Sequence, residues 1–205
     1  MKSAFVRRLF VAVALLGAFV VPSHAAEADA AVARISGFYD VLLDSMKTAK
    51  RTPVRARYDK LEAPVRATFD LAAMTRITVG PAWTTLSPED QKALLEQFSR
   101  LTIATYANRF DGYSGEKFEV DPNTEARGQN VIVRSRLVKA NGEPVELNYL
   151  VHSTAAGWQA MDVYLSGTIS ELATRRSEFG SVLKSGGPKA LVETLKERAD
   201  RLLGS

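Results

Sequence analysis

No cysteine occurs anywhere in the 205 residues, and there are only two histidines, His24 and His152. The first absence removes disulfides, thiolate nucleophiles and sulfur ligands together, so the fold has to hold on its core alone. The second leaves metal chemistry without ligands. A zinc site takes several His or Cys side chains, and a calcium loop takes an Asp/Asn-rich run that is missing here. A Ser-His-Asp arrangement would depend on His152, which the strand pattern puts near a strand end on its more polar side, and no nucleophile-elbow glycine pattern surrounds a serine. The stretch GSVLKSGG, Gly180 to Gly187, lacks the spacing of a phosphate-cradling loop. No metal and no cofactor is expected.

Long apolar runs are scarce as well. The one present, Leu9 to Val21, is thirteen residues, whereas crossing a bilayer takes about 20. It follows Lys2, Arg7 and Arg8 and precedes Ser23-His24-Ala25, which puts small residues where leader cleavage reads them. That is the layout of a secretory signal peptide. Residues 1–25 are therefore expected to be removed, after Ala25 or Ala26, on the general secretion route; Arg7-Arg8 alone does not complete a twin-arginine pattern. Residues 26–205 are expected to form a single soluble domain. The leader also carries the basicity. The chain has 27 Lys and Arg against 23 Asp and Glu, and losing Lys2, Arg7 and Arg8 leaves 24 against 23. A near-neutral chain has no electrostatic footprint for nucleic acid.

What is present is apolar periodicity. From Asp29 to Lys50, Val32, Ile35, Phe38, Tyr39, Leu42, Leu43 and Met46 recur at helical spacing. Pro53 breaks the basic stretch that follows and leads into a second short helix. Another helix starts near Asp70, carries Leu71, Met74 and Ile77, and stops at Gly80-Pro81. The clearest helix begins at Pro88. Ser87 is its N-cap, Glu89 and Asp90 sit at the positive end of its dipole, and Leu94, Phe98, Leu101 and Thr105 form its stripe. Ala104 is placed on the cavity side of that helix.

After Gly115 the period drops to two. KFEV, NVIVRSRLVK, PVELNYLVHS and WQAMDVYLS read as four strands, with turn signals at Asn141-Gly142 and Thr154 to Gly157. Val145, Leu147, Tyr149 and Val151 share one face of the third strand and Glu146, Asn148 and His152 the other, so one face is buried. Helical spacing returns from Thr168, is punctuated by Gly186-Gly187-Pro188, and ends near Leu203. The fold class is α+β: helices on one face of a four-stranded antiparallel sheet, a geometry that can enclose an apolar pocket between the layers.

The stretch MDVYLSGTISELATRRSEF, Met161 to Phe179, concentrates polar groups. Asp162 with Tyr164 could serve an enzyme acting on an apolar substrate in that pocket. The same residues also read as a junction, in which a strand ends at Gly167 and Thr168 or Ser170 caps the next helix. Arg175 and Arg176 then point to solvent, pair with Asp162 or Glu178, or meet an anionic headgroup or docking surface.

Several marks recur in order: Phe69-Asp70, Gly80, Trp83, Leu86-Ser87-Pro88, Tyr106-Ala107, Tyr113-Ser114-Gly115-Glu116, Gly157-Trp158, Asp162-Val163, Arg176, Phe179 and Gly186-Gly187. Over about Val32 to Leu203 the chain resembles the MlaC/toluene-tolerance family of periplasmic lipid-binding proteins. TISELATRRSEF and FDGYSGEKF are most similar to its hopanoid-cluster-associated branch, HpnM. The resemblance implies a periplasmic carrier that needs no catalytic residue. It would shuttle a phospholipid or hopanoid-type lipid between inner- and outer-membrane complexes, docking transiently to each, as a monomer. Physics favours such a carrier: about 0.8 kcal/mol per methylene makes a ~16-carbon tail cost on the order of 12 kcal/mol in water. The family layout and the periodicity together imply a lipid-binding wall. Phe38 and Leu42 come from the first helix; Met74, Ile77 and Trp83 from the third helix and its exit; Phe98, Leu101, Tyr106 and Phe110 from the long helix. The strands add Leu147, Tyr149, Val151, Met161 and Val163, and Ile169 follows them. A cargo-free adaptor between membrane complexes is the remaining alternative.

Overall fold

The structure, a computed structural model, describes residues 24–204. The expected signal peptide, residues 1–25, lies outside the described residues except for its last two. Helix α1 runs His24–Thr48 and buries Ile35, Phe38, Tyr39, Leu42 and Met46 along one stripe. A 3-10 turn at Ala49–Arg51 and Pro53, with φ −55°, lead into α2, Val54–Thr68. Arg57 of α2 is buried because its guanidinium donates to Ala107 O at 2.9 Å and Thr52 O at 2.6 Å. It ties α2 to the end of the long helix.

Helix α3, Leu71–Val79, is capped by Asp70, whose Oδ1 accepts from Ala73 N at 2.8 Å. A 3-10 turn at Gly80–Thr85 separates it from α4, Pro88–Arg109, where Ser87 Oγ accepts from Asp90 N at 3.1 Å. The expected stripe of α4, Leu94, Phe98, Leu101 and Thr105 widened by Leu95, Tyr106 and Phe110, understates its burial. Leu94, Phe98, Ser99, Leu101, Thr102, Ile103, Ala104 and Ala107 are all buried, because α4 is packed against α2, α3 and the last helix at once.

The sheet is an antiparallel meander in sequence order: β1 Lys117–Arg127, β2 Asn130–Val138, β3 Pro144–Thr154, β4 Gly157–Leu165 and β5 Ile169–Ser170. It has five strands where four were expected. The first is longer than KFEV, since pairing resumes at Thr124 after Asp121-Pro122-Asn123 shifts the register. The resumed half, TEAR, has no apolar alternation, which is why the pattern missed it. β5 adds two edge residues, pairing Leu165 with Ile169 and Tyr164 with Ser170, across a tight turn where Gly167 has φ +78°. Helix α5, Glu171–Leu203, is capped by Ser170, the second of the two expected caps, and not by Thr168; it breaks at Gly187, φ +70° and ψ −170°, at the Gly-Gly-Pro punctuation.

Helices cover one face of the sheet, with α1 lying across β1, β2 and β4 and α4 against α5. The inner face presents Val133, Leu147, Tyr149, Val151, Ala160 and Val163. Tyr39 stacks on Phe118 with ring centroids 4.1 Å apart, and its hydroxyl lies 2.6 Å from Ser135 Oγ. On the exposed face Arg134 pairs with Glu125, and Arg136 with Glu119 at 2.7 Å. Among the described residues no helix is long and apolar enough to cross a membrane.

Candidate functional site

A cavity of about 100 Å³ lies between the inner face of the sheet, the C-terminal half of α4 and the first turns of α5. Its floor is Leu147 and Tyr149 of β3 with Val163 and Leu165 of β4. Phe69 and Met74 close one side; Thr102, Thr105, Tyr106, Arg109 and Phe110 form the α4 wall; Glu171, Leu172 and Arg175 complete it from α5. Ring contacts stiffen the walls. Tyr106 stacks on Phe110 at 5.7 Å, while Phe38 and Phe69 meet Tyr106 at 5.2 and 5.4 Å.

The phenols around the cavity are held in their neutral form. Burial pushes Tyr39 up to about 12, and burial raises Tyr106 and Tyr149 well above the usual phenol value. For Tyr149 the neighbouring phenols of Tyr39 and Tyr106 add to the rise. Thr102 and Thr105 donate their hydroxyls to Phe98 O at 2.9 Å and Leu101 O at 2.7 Å. The threonine hydroxyls of the α4 wall are thus turned back onto their own helix.

The polar end is built by three charged residues. Glu171 Oε2 accepts from Arg175 Nε at 3.3 Å, and Glu171 Oε1 lies 4.0 Å from Arg109 Nη1. The Arg175 guanidinium carbon stands 5.5 Å over the Phe98 ring. Beyond this end a groove between α4 and α5, of about 490 Å³, shares Thr105, Arg109, Glu171 and Arg175 with the cavity. It adds Glu178, Arg198 and Arg201.

Of the residues expected to form a lipid-binding wall, Met74, Tyr106, Phe110, Leu147, Tyr149 and Val163 come together around the cavity. Leu42, Phe98, Leu101 and Val151 are buried in the surrounding core. Phe38 packs behind Tyr106 and lines a separate groove with Arg34 and Trp158. Ile77 and Trp83 are half-buried against the core and do not line the cavity. Met161 is displaced by a bulge: Leu150 pairs with Asp162 and Val151 with Ala160, so Met161 is the extra residue and Ala160 takes the inner position. Ile169 is 56% exposed because it belongs to the edge strand rather than to a helix face. Ala104 is wholly buried and does not line the cavity; Thr105 does. Strand alternation from Val163 leads to Leu165, and helical spacing from Thr102 leads to Thr105 and Arg109. The pattern places Glu171 and Leu172 in the first turn of α5, but nothing local in the sequence points them at the cavity.

Asp162 is engaged in the β4–α5 junction. Its Oδ1 accepts from Val163 N at 2.8 Å and Leu172 N at 3.2 Å, and its Oδ2 accepts from Ser170 Oγ at 2.5 Å. Neither Asp162 nor Tyr164 lines the cavity; Tyr164 borders a groove with Asn148 and Arg134 instead. The expected pairing of Arg175 or Arg176 with Asp162 or Glu178 is replaced too, since Glu178 takes Arg198 at 2.7 Å. His152 Nε2 lies 3.1 Å from Asp70 Oδ2, the carboxylate that caps α3. Among the described residues no group of three potential metal ligands occurs.

The family model described as MlaC protein matches residues 38–197. A solved structure of the phospholipid-binding protein from Ralstonia solanacearum, in complex with a phospholipid, aligns with a TM-score of 0.74 at 28% identity; the alignment covers 84% of this chain and 98% of that one. No curated protein matches the sequence.

Proposed function

The chain belongs to the MlaC family, and from that membership we propose that it is a periplasmic lipid carrier, exported by a cleaved leader. It holds the apolar part of a phospholipid or hopanoid-type lipid between its sheet and helices, and shuttles it between inner- and outer-membrane complexes.

The observation that carries the reading is the cavity: an apolar chamber floored by Leu147, Tyr149, Val163 and Leu165, with charged groups at one end only. An amphiphile has the same division. Its tail is what water rejects, at about 0.8 kcal/mol per methylene, and its headgroup is what a charged rim tolerates. The solved phospholipid complex of the Ralstonia protein, similar over most of both chains, supports a phospholipid as one cargo. The bonds of Asp162 to the chain around it support a binding role over catalysis.

The chamber's about 100 Å³ falls below the ~300–1,000 Å³ of pockets that enclose small molecules. Loading a whole tail therefore requires the helical layer to move outward from the sheet. The test is to express the full chain with its own leader, purify it from the periplasmic fraction, and extract it with organic solvent for mass spectrometry. Co-purified lipid and uptake from vesicles are expected. Protein that carries none and takes up none contradicts the reading.

A further inference from the structure

Arg175 is a charged side chain of the cavity wall that the fold leaves incomplete. Its side chain is 18% exposed, and Nη1 is fully buried without a hydrogen-bond partner among the described residues. A guanidinium does not shed its proton inside a protein, so the charge stays and an unmade bond from it is a standing cost. Arg175 lines both the apolar chamber and the groove outside it. Glu171 occupies Nε and leaves Nη1 open. The groove as a whole carries Arg109, Arg175, Arg198 and Arg201 against Glu171 and Glu178, so its field is positive.

We infer that Arg175 is the receptor for an acidic group on the cargo, a phosphate or a carboxylate. The tail lies in the chamber, and the acid accepts a hydrogen bond from Arg175 Nη1 with Arg109 beside it. Such charge-assisted bonds are the strong ones, and burial at the edge of an apolar chamber keeps water from competing for it. This rests on the carrier reading and sharpens it, because it separates the two cargo classes. A phospholipid satisfies Arg175; a neutral polycyclic lipid leaves it unmatched.

Glu171 sets the strength of the preference. It stands between Arg175 and Arg109, 3.3 Å from one and 4.0 Å from the other, and opposes an incoming anion. Neutralising it strengthens the site, while removing the Arg175 charge weakens it.

The experiment compares retention of phosphatidylglycerol, oleate and diacylglycerol with matched oleoyl chains, by native mass spectrometry of the purified full-chain product, for the wild type, Arg175→Gln and Glu171→Gln. Wild type is expected to retain an acidic lipid about tenfold or more over diacylglycerol, and Arg175→Gln to lose most of that margin while keeping diacylglycerol binding. Glu171→Gln is expected to widen the margin, an opposite direction that a folding defect does not produce. Preference for phosphatidylglycerol over oleate assigns the acid as phosphate, and the reverse assigns it as carboxylate; both support Arg175 as receptor. Equal retention of diacylglycerol by the wild type, or a margin unmoved by both variants, overturns the inference and leaves the carrier reading standing. Retention of no lipid overturns both.

Discussion

Arg176 lies across Gly80. A Cβ at position 80 would stand 3.1 Å from Arg176 Nε, and the glycine backbone there is at φ +69° and ψ −146°. The two residues join the end of α3 to α5. They fit each other although they are nearly a hundred positions apart: the glycine supplies the space and the backbone turn, and the arginine fills it.

Gly80→Ala should therefore destabilise the fold by about 1–3 kcal/mol, from backbone strain and the displaced guanidinium. Urea unfolding measures it. Adding Arg176→Ala should return only the steric part, so the double variant should fall between Gly80→Ala and the wild type.

Asp162→Ala should lower stability by about 1–3 kcal/mol, because the amides of Val163 and Leu172 lose their shared acceptor. Lipid retained per folded molecule should be unchanged. Lost turnover of an apolar substrate, with folding and lipid binding intact, would instead support Asp162 as a catalytic acid.

Neighbouring residues on α4 should respond differently to bulk. Thr105→Trp occupies the chamber's wall at its polar end and should reduce uptake with little loss of stability. Ala104→Trp, from a wholly buried position, should cost about 1–3 kcal/mol or more through overpacking. Paired uptake and thermal-melting measurements separate the two.

The buried phenols make stability fall at high pH. Tyr39, Tyr106 and Tyr149 have folded values above the ordinary 10.0, chiefly through burial, so the folded state favours their neutral forms. Their contribution is complete below pH 10 and is lost as pH rises toward the folded values, about 12 for Tyr39. The urea midpoint should be flat with respect to these groups up to pH 10 and drop above it. Tyrosinate absorbance should show three phenols ionising only with unfolding.

The layered fold was legible because its signals are local. Apolar spacing revealed the helices, alternation revealed β2 to β4, and Ser87-Pro88 marked the start of α4 where the structure has it. The misses share a cause, since each depends on how one element pairs with or packs on the next and not on the pattern within the element itself. β5 is held by pairing with Leu165 and carries no pattern of its own. The bulge that removes Met161 from the inner face is a property of how β3 and β4 align. Arg175 and Glu171 face the chamber only because α5 starts at Glu171, after Ser170 and Asp162 have set its first turn. The aromatic wall was half visible: Tyr106, Phe110 and Tyr149 stood out by periodicity, while Phe69 reaches the chamber from the end of α2.

Whether this protein carries lipid is decided by what leaves it on solvent extraction. Full-length protein expressed with its leader and purified without added detergent should release a lipid in amounts comparable to the protein, and Thr105→Trp should release markedly less. Protein that yields no lipid, and that takes none from vesicles, would contradict the carrier function proposed for the chamber.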